Sequence, residues 1–176
     1  MSIPSSWLSI YIAIIGTVLS ALLAYLTYSL NRQSQRASMQ RSIEDLYEEM
    51  VKYRAAHPEV MKLCDHWTEA CFNAVYRQHN AKEEQWVIYY TYVELVSGFI
   101  NAVLYGRKTR LLDKHAYLNH YLPLMKLLVT EHYPYFLSVL QGPYISTFIK
   151  EFVGELKEEG WDFDARHKKL IGAVSL

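Results

Sequence analysis

Apolar positions run almost unbroken from Trp7 to Leu30 (WLSIYIAIIGTVLSALLAYLTYSL), with no charged residue among them. At a 1.5 Å rise per residue this stretch spans roughly 36 Å, enough to cross a ~30 Å hydrocarbon core with some tilt. It predicts one transmembrane helix. A cleaved signal peptide is the rival reading, but no Lys or Arg precedes Trp7, the run exceeds an ordinary signal core, and no A-x-A site follows it.

Beyond the span the pattern changes twice. Residues Asn31–Ser42 (NRQSQRASMQRS) are polar on nearly all sides, and from Ile43 an amphipathic stripe begins through Leu46, Tyr47, Met50 and Val51. No Pro or Gly occurs between Gly16 and Pro58, so the anchor is expected to run on as one long helix. His57-Pro58 marks a boundary, with Pro58 in the first turn of a new helix whose stripe is Val60, Leu63, Cys64, Trp67, Cys71, Ala74 and Val75. Gln78–Lys82 reads as a loop. Trp86, Tyr89, Val93, Val96, Ile100 and Val103 then alternate steps of three and four, the spacing of a bundle seam, and Gly106 is expected to close that helix.

A further helix is expected through Tyr121, Leu122, Met125, Leu128 and Val129, starting near Pro123. Pro134 and Gly142-Pro143 punctuate the chain before Tyr144, Ile145, Phe148, Ile149, Phe152, Val153 and Leu156, and Gly160 ends that helix. No alternating run is long enough for a strand. The fold class expected is all-α, with an N-terminal single-pass transmembrane helix leading into a cytoplasmic bundle of four or five helices. The divisions are an anchor at 1–31, a juxtamembrane helix at 32–56, a bundle at 57–164 and a basic, then apolar, tail at 165–176.

Charge adds orientation. No basic residue precedes the span, whereas Arg32, Arg36 and Arg41 follow it, so the N-terminus is expected outside and the body in the cytoplasm. Trp7 and Tyr11 at one end, with Tyr25 and Tyr28 at the other, suit the two interfacial belts. Eighteen Lys and Arg balance eighteen Asp and Glu, so no overall charge directs the chain to nucleic acid or acidic lipid. Cys64 and Cys71 are seven apart, about 10 Å along a helix and too far for a disulfide. They read as reduced core residues of a cytosolic body.

Small residues recur in the span at helical spacing, as Ala13–Thr17–Ala21 and Gly16–Ser20–Ala24. Such series let helix backbones approach closely in lipid, although small residues are frequent in any membrane helix. The sharper reading is self-association. In a ring of about eight helices packed about 9 Å apart, a lumen of roughly 7 Å radius remains. Asn31, Arg32, Gln35 and Arg36 would then line its cytoplasmic mouth, with Thr17, Ser20 and Thr27 deeper in.

Chemistry is sparse. Arg110-Leu-Leu-Asp-Lys-His115 has the R-x4-H spacing that metal-independent RNA cleavage uses. One group must move protons at the 2′-hydroxyl and the leaving oxygen, and a fixed cation must stabilise the charged phosphorane. Five residues apart on a helix, Arg110 and His115 would converge on one phosphate, with Arg107, Lys108 and Lys114 adding affinity. Eight Arg and seven His give roughly one such match by chance, so the spacing alone is weak. His66, His79, His120 and His132 lack metal-ligand spacing, and His132 reads as an imidazolium at a helix end. Glu48-Glu49, Glu83-Glu84 and Glu158-Glu159 read as solvated faces. No phosphate loop, nucleophile motif or dinucleotide fingerprint occurs, so neither cofactor nor metal is implied.

One N-terminal membrane helix, a small helical body and a single R-x4-H motif together resemble the small transmembrane accessory protein of type VI-B CRISPR systems, which carries a divergent HEPN (nucleotide-binding helical bundle) motif. The resemblance implies an antiviral effector of the bacterial inner membrane, partnered with an RNA-guided RNase. It implies a homo-oligomeric ring in the bilayer whose pore depolarises the cell once phage transcripts are detected. The family's motif falls here on Arg110 and His115. Leu111 stands where a polar residue usually follows the Arg, which weighs against nuclease activity and towards a structural role. Two alternatives stand beside the pore. One is a membrane-tethered ribonuclease that binds RNA across a dimer, and the other is a passive helical adaptor.

Overall fold

The long apolar-to-polar helix expected from the sequence is present: in the computed structural model α1 runs from Ser5 to Ala56. The structure describes residues 5–67, 84–140 and 146–174. Cys71, Ala74, Val75, the Gln78–Lys82 loop with His79, and 142–145 lie outside the described residues, as does the side chain of Trp7. Among those described, regular structure is helical and no strand occurs.

The chain divides into two units, Met1–Ser38 and Met39–Leu176. In the first, every large apolar side chain from Ile10 to Leu30 is 46–68% exposed, so nothing among the described residues covers the apolar helix. Its most apolar window has a mean hydropathy of 2.1 with none of it buried. A second helix, Gln85–Lys108, also has the length and composition to cross a membrane, but 44% of its window is buried and it is the central helix of the bundle.

The second unit begins eighteen residues before the boundary expected at residue 57, because the end of α1 is itself a bundle element. It packs antiparallel on α3 (Glu84–Lys108). Met39 meets Gly106, Leu46 meets Gly98, Tyr47 meets Phe99, and the Tyr53 hydroxyl donates to the Ile88 carbonyl at 3.2 Å. The predicted seam is the core of α3: Tyr89, Val93, Val96, Ile100 and Val103 are all at 0% exposure.

Gly106 does not close this helix, which continues to Lys108. A Cβ on Gly106 would lie 3.2 Å from Leu112 Cβ and 3.3 Å from Met39 Cγ, so the glycine serves close packing rather than termination. The stripe predicted from Val60 to Val75 also breaks early. Pro58 sits in the turn before α2 (Val60–Leu63), a short 3-10 turn Cys64–His66 follows, and Trp67 is extended at φ −68°, ψ 127°. Tertiary packing overrides helical propensity there. The Trp67 ring lies against Trp86, Tyr89 and Tyr135, and its indole N–H donates to Ser138 Oγ at 3.1 Å.

The remaining helices fill in the bundle. They are α4 (Lys114–Ala116), a π-helical turn at Tyr117–Tyr121, α5 (Leu122–Glu131) with Pro123 in its first turn, and α6 (Tyr133–Leu140). After them come α7 (Thr147–Glu158), started by Ser146 Oγ accepting from Phe148 N–H, and α8 (Phe163–Val174). The boundary expected at 164/165 falls inside α8, which packs on α5 and α6. Phe163 and His167 carry that contact, each buried, so the basic character of the tail belongs to the outer face of a bundle helix.

Candidate functional site

Helical geometry sorts the first unit into faces. At 3.6 residues per turn, Gly16, Thr17, Ser20, Ala24, Thr27, Asn31 and Gln35 fall within an arc of about 100°. Ile12, Ile15, Leu19, Leu22, Leu23, Leu26 and Leu30 fill a separate arc of similar width. Five of the seven residues expected to line a lumen (Thr17, Ser20, Thr27, Asn31 and Gln35) therefore share one small and polar face. Arg32 and Arg36 lie off that face, about 110° and 150° from its centre, on the side of Val18, Tyr25 and Tyr28. Thr17 Oγ1 donates to the Ala13 carbonyl at 2.9 Å, leaving its lone pairs outward, and Arg32 donates to the Tyr28 hydroxyl at 3.1 Å.

The second region is the loop after α3. Arg110 does not lie on a helix with His115, as the five-residue spacing supposed. It is the left-handed residue of a helix cap, at φ +58°, with its N–H donating to Arg107 O and that of Leu111 to Gly106 O. This is the Schellman arrangement, normally built on Gly. Gly160 occupies the same position after α7 at φ +81°, with matching bonds from Gly160 N to Lys157 O and Trp161 N to Leu156 O. Asp113 then caps α4 by accepting from Ala116 N–H, and His115 sits exposed in that single turn.

No hydrogen bond or ion pair joins Arg110 to His115 among the described residues. The neighbouring cations are partly committed. Arg107 lies 3.6 Å from Glu155, donates to the Tyr117 hydroxyl and sits over its ring, while Lys108 is 3.7 Å from Glu151. These contacts are solvent-exposed, and each contributes little to the packing of α7 on α3.

A side chain with Cβ in the left-handed region costs energy that Gly avoids, so Arg110→Gly is expected to raise stability by about 0.5–1 kcal/mol. Thermal melts of the two chains measure this. A gain in stability with a loss of cellular activity would assign Arg110 to function, and a loss of stability would assign its side chain to the cap.

The sequence missed a third cluster. His132 caps the end of α5, but it is wholly buried, and burial pulls its pKa down to about 3, aided by Arg54 and then His167. It is therefore a neutral imidazole, not the imidazolium expected from its place at a helix end. Its Nδ1 pairs with the Tyr89 hydroxyl at 3.1 Å and its Nε2 lies 4.0 Å from Glu131 Oε2. Burial raises Glu131 above the usual carboxylate range, opposed by Arg54 at 3.7 Å. Nearby, His167 Nδ1 pairs with Thr130 O at 2.9 Å, and burial pushes the Cys64 thiol up to about 12, which leaves it protonated and unreactive. Among the described residues no three His, Cys, Asp or Glu side chains are placed to hold a metal ion.

Compared with protein-family models, curated proteins and solved structures, the chain matches none.

Proposed function

We propose that this chain is a pore-forming accessory effector of RNA-guided antiviral defence. It inserts α1 once into the bacterial inner membrane, N-terminus outside, and homo-oligomerises into a ring whose opening depolarises the cell alongside its RNase partner. The observation that carries this reading is the uncovered apolar helix with a separate small and polar face. A helix whose large apolar side chains all lack intramolecular partners requires lipid or other copies around it. The polar arc gives copies a close-packing surface and a ring a wettable interior, while the aliphatic arc suits lipid.

The arrangement of the second unit favours a non-catalytic body over a ribonuclease. Arg110 and His115 stand on different local structures, and Arg107 and Lys108 have carboxylate neighbours on α7.

Two measurements test the proposal. Native mass spectrometry from neutral detergent is expected to give a closed oligomer of six or more copies. With the RNase partner active, a potential-sensitive dye is expected to report depolarisation. Ala24→Phe, on the small face, is expected to abolish most of that signal, whereas Leu26→Phe, on the aliphatic face, leaves it unchanged. A monomer or dimer by mass, or equal loss from both variants, would overturn the pore.

A further inference from the structure

A groove with a volume of about 680 Å³ lies between the π-helical turn, α5 and α8. Its size is that of a small-molecule site. Leu118, Leu122, Leu127 and Leu170 make its walls aliphatic, with Pro123 beside them. Leu118 and Leu127 are exposed to solvent although they form no part of the bundle core.

Three cations stand on this groove: Lys126, Arg166 and Lys169. Two are fixed on the Trp161 ring, Arg166 with its guanidinium carbon 3.7 Å from the centroid and Lys126 with its ammonium at 4.7 Å. Among the described residues none of the three is ion-paired to a carboxylate, in a chain whose formal charge is zero. The local excess of positive charge is thus a property of the groove and not of the protein.

The walls also say what does not fit. The Thr130 hydroxyl donates to the Lys126 carbonyl at 2.7 Å, and the Thr130 carbonyl is taken by His167. The leucines themselves offer neither donor nor acceptor, so a nucleobase edge or a peptide backbone laid along them would be buried unpaired, which is costly. Both faces of chemistry are met by a hydrocarbon chain ending in an anion.

We propose that this groove binds a single-chain anionic amphiphile of the fatty-acid type, its chain along the leucines and its carboxylate at Lys126, Arg166 and Lys169. The site stands apart from the pore reading and needs no second copy.

The test uses the full chain in phosphatidylcholine nanodiscs with a palmitate carrying a diazirine in its chain, photolysed and mapped by peptide mass spectrometry. Label is expected on peptides containing Leu118–Leu127 and Leu170, saturably, and on the apolar helix in proportion to bilayer content. Leu127→Glu and Lys169→Glu, both at exposed positions, are each expected to cut groove labelling at least tenfold and leave labelling of the apolar helix and the melting curve unchanged.

Equal groove labelling by the neutral alcohol of the same chain would overturn the proposal, as would groove labelling that either variant leaves intact. Absence of groove label, with Leu127→Glu reducing oligomer mass, would make the groove a contact between copies and also overturn it. Absence of label on the apolar helix would count against the anchor alone.

Discussion

A chain carrying Leu19→Arg is expected to partition into membranes several hundred-fold less than the wild type while keeping its helical body. Eleven Leu, Ile and Val residues lie between Trp7 and Leu30, and their insertion is worth on the order of 5 kcal/mol. One Arg near the middle of the span costs about 3 kcal/mol and forfeits the leucine as well, so partition falls several hundred-fold. Arg is as good a helix former as Leu, so the helix itself is not broken. Leu19 is 54% exposed and belongs to the Met1–Ser38 unit, so the substitution touches no residue of the bundle. Carbonate extraction of membranes measures the loss, and circular dichroism of the released protein checks the fold. Intact mass of the unsubstituted chain is expected to retain the apolar segment from Trp7 to Leu30. Extraction of the Leu19→Arg chain no greater than that of the wild type, or removal of the apolar segment from the wild type, would refute the anchor.

How much of this was legible in the sequence depended on whether local pattern or distant packing decides each element. The apolar run and the seam of α3 were readable because both are periodic and long, and each residue's environment follows from its own helix. Trp67 was not readable: its stripe favours helix, and the extended conformation there comes from aromatic partners on α3 and α6. Gly106 was misread for a related reason. A glycine near a helix end signals a cap, but here the side chain is absent so that Met39 and Leu112 fit, and the cap falls four residues later on Arg110. An arginine in the left-handed position leaves no trace in composition or spacing. The R-x4-H pair was visible as letters, yet the helix assumed between them is a Schellman cap and a separate turn. The groove at Trp161 was hidden because its leucines and cations come from α5 and α8, which the sequence assigned to a bundle and a separate tail.

Acidification is expected to destabilise the body through His132. Burial lowers its folded-state pKa from the usual 6.5 to about 3, so the folded protein binds its proton far less readily than the unfolded chain. The stability that comes from keeping His132 neutral is complete above about pH 6.5 and is lost as pH falls towards 3. By pH 4.5 the loss is about 3 kcal/mol, or about 10 °C in melting temperature for a domain of this size. Arg54 and His167 act in the same direction, since each positive charge near His132 opposes a second. Glu131 acts oppositely: its raised pKa means that protonating it in acid favours the folded state, which offsets part of the loss. Among the groups described around His132, Cys64 and Tyr89 have pKa values raised by burial and titrate at alkaline pH, so they leave this window untouched. His132→Phe separates the terms. At pH 7.5 it leaves the buried Tyr89 hydroxyl without its partner and is expected to cost about 1–3 kcal/mol. Between pH 6.5 and 4.5 its melting temperature should fall about 10 °C less than that of the wild type, so that the two curves converge or cross in acid. Parallel curves would show that the acid response comes from other groups and that the buried imidazole titrates in the folded protein much as it does in the unfolded chain.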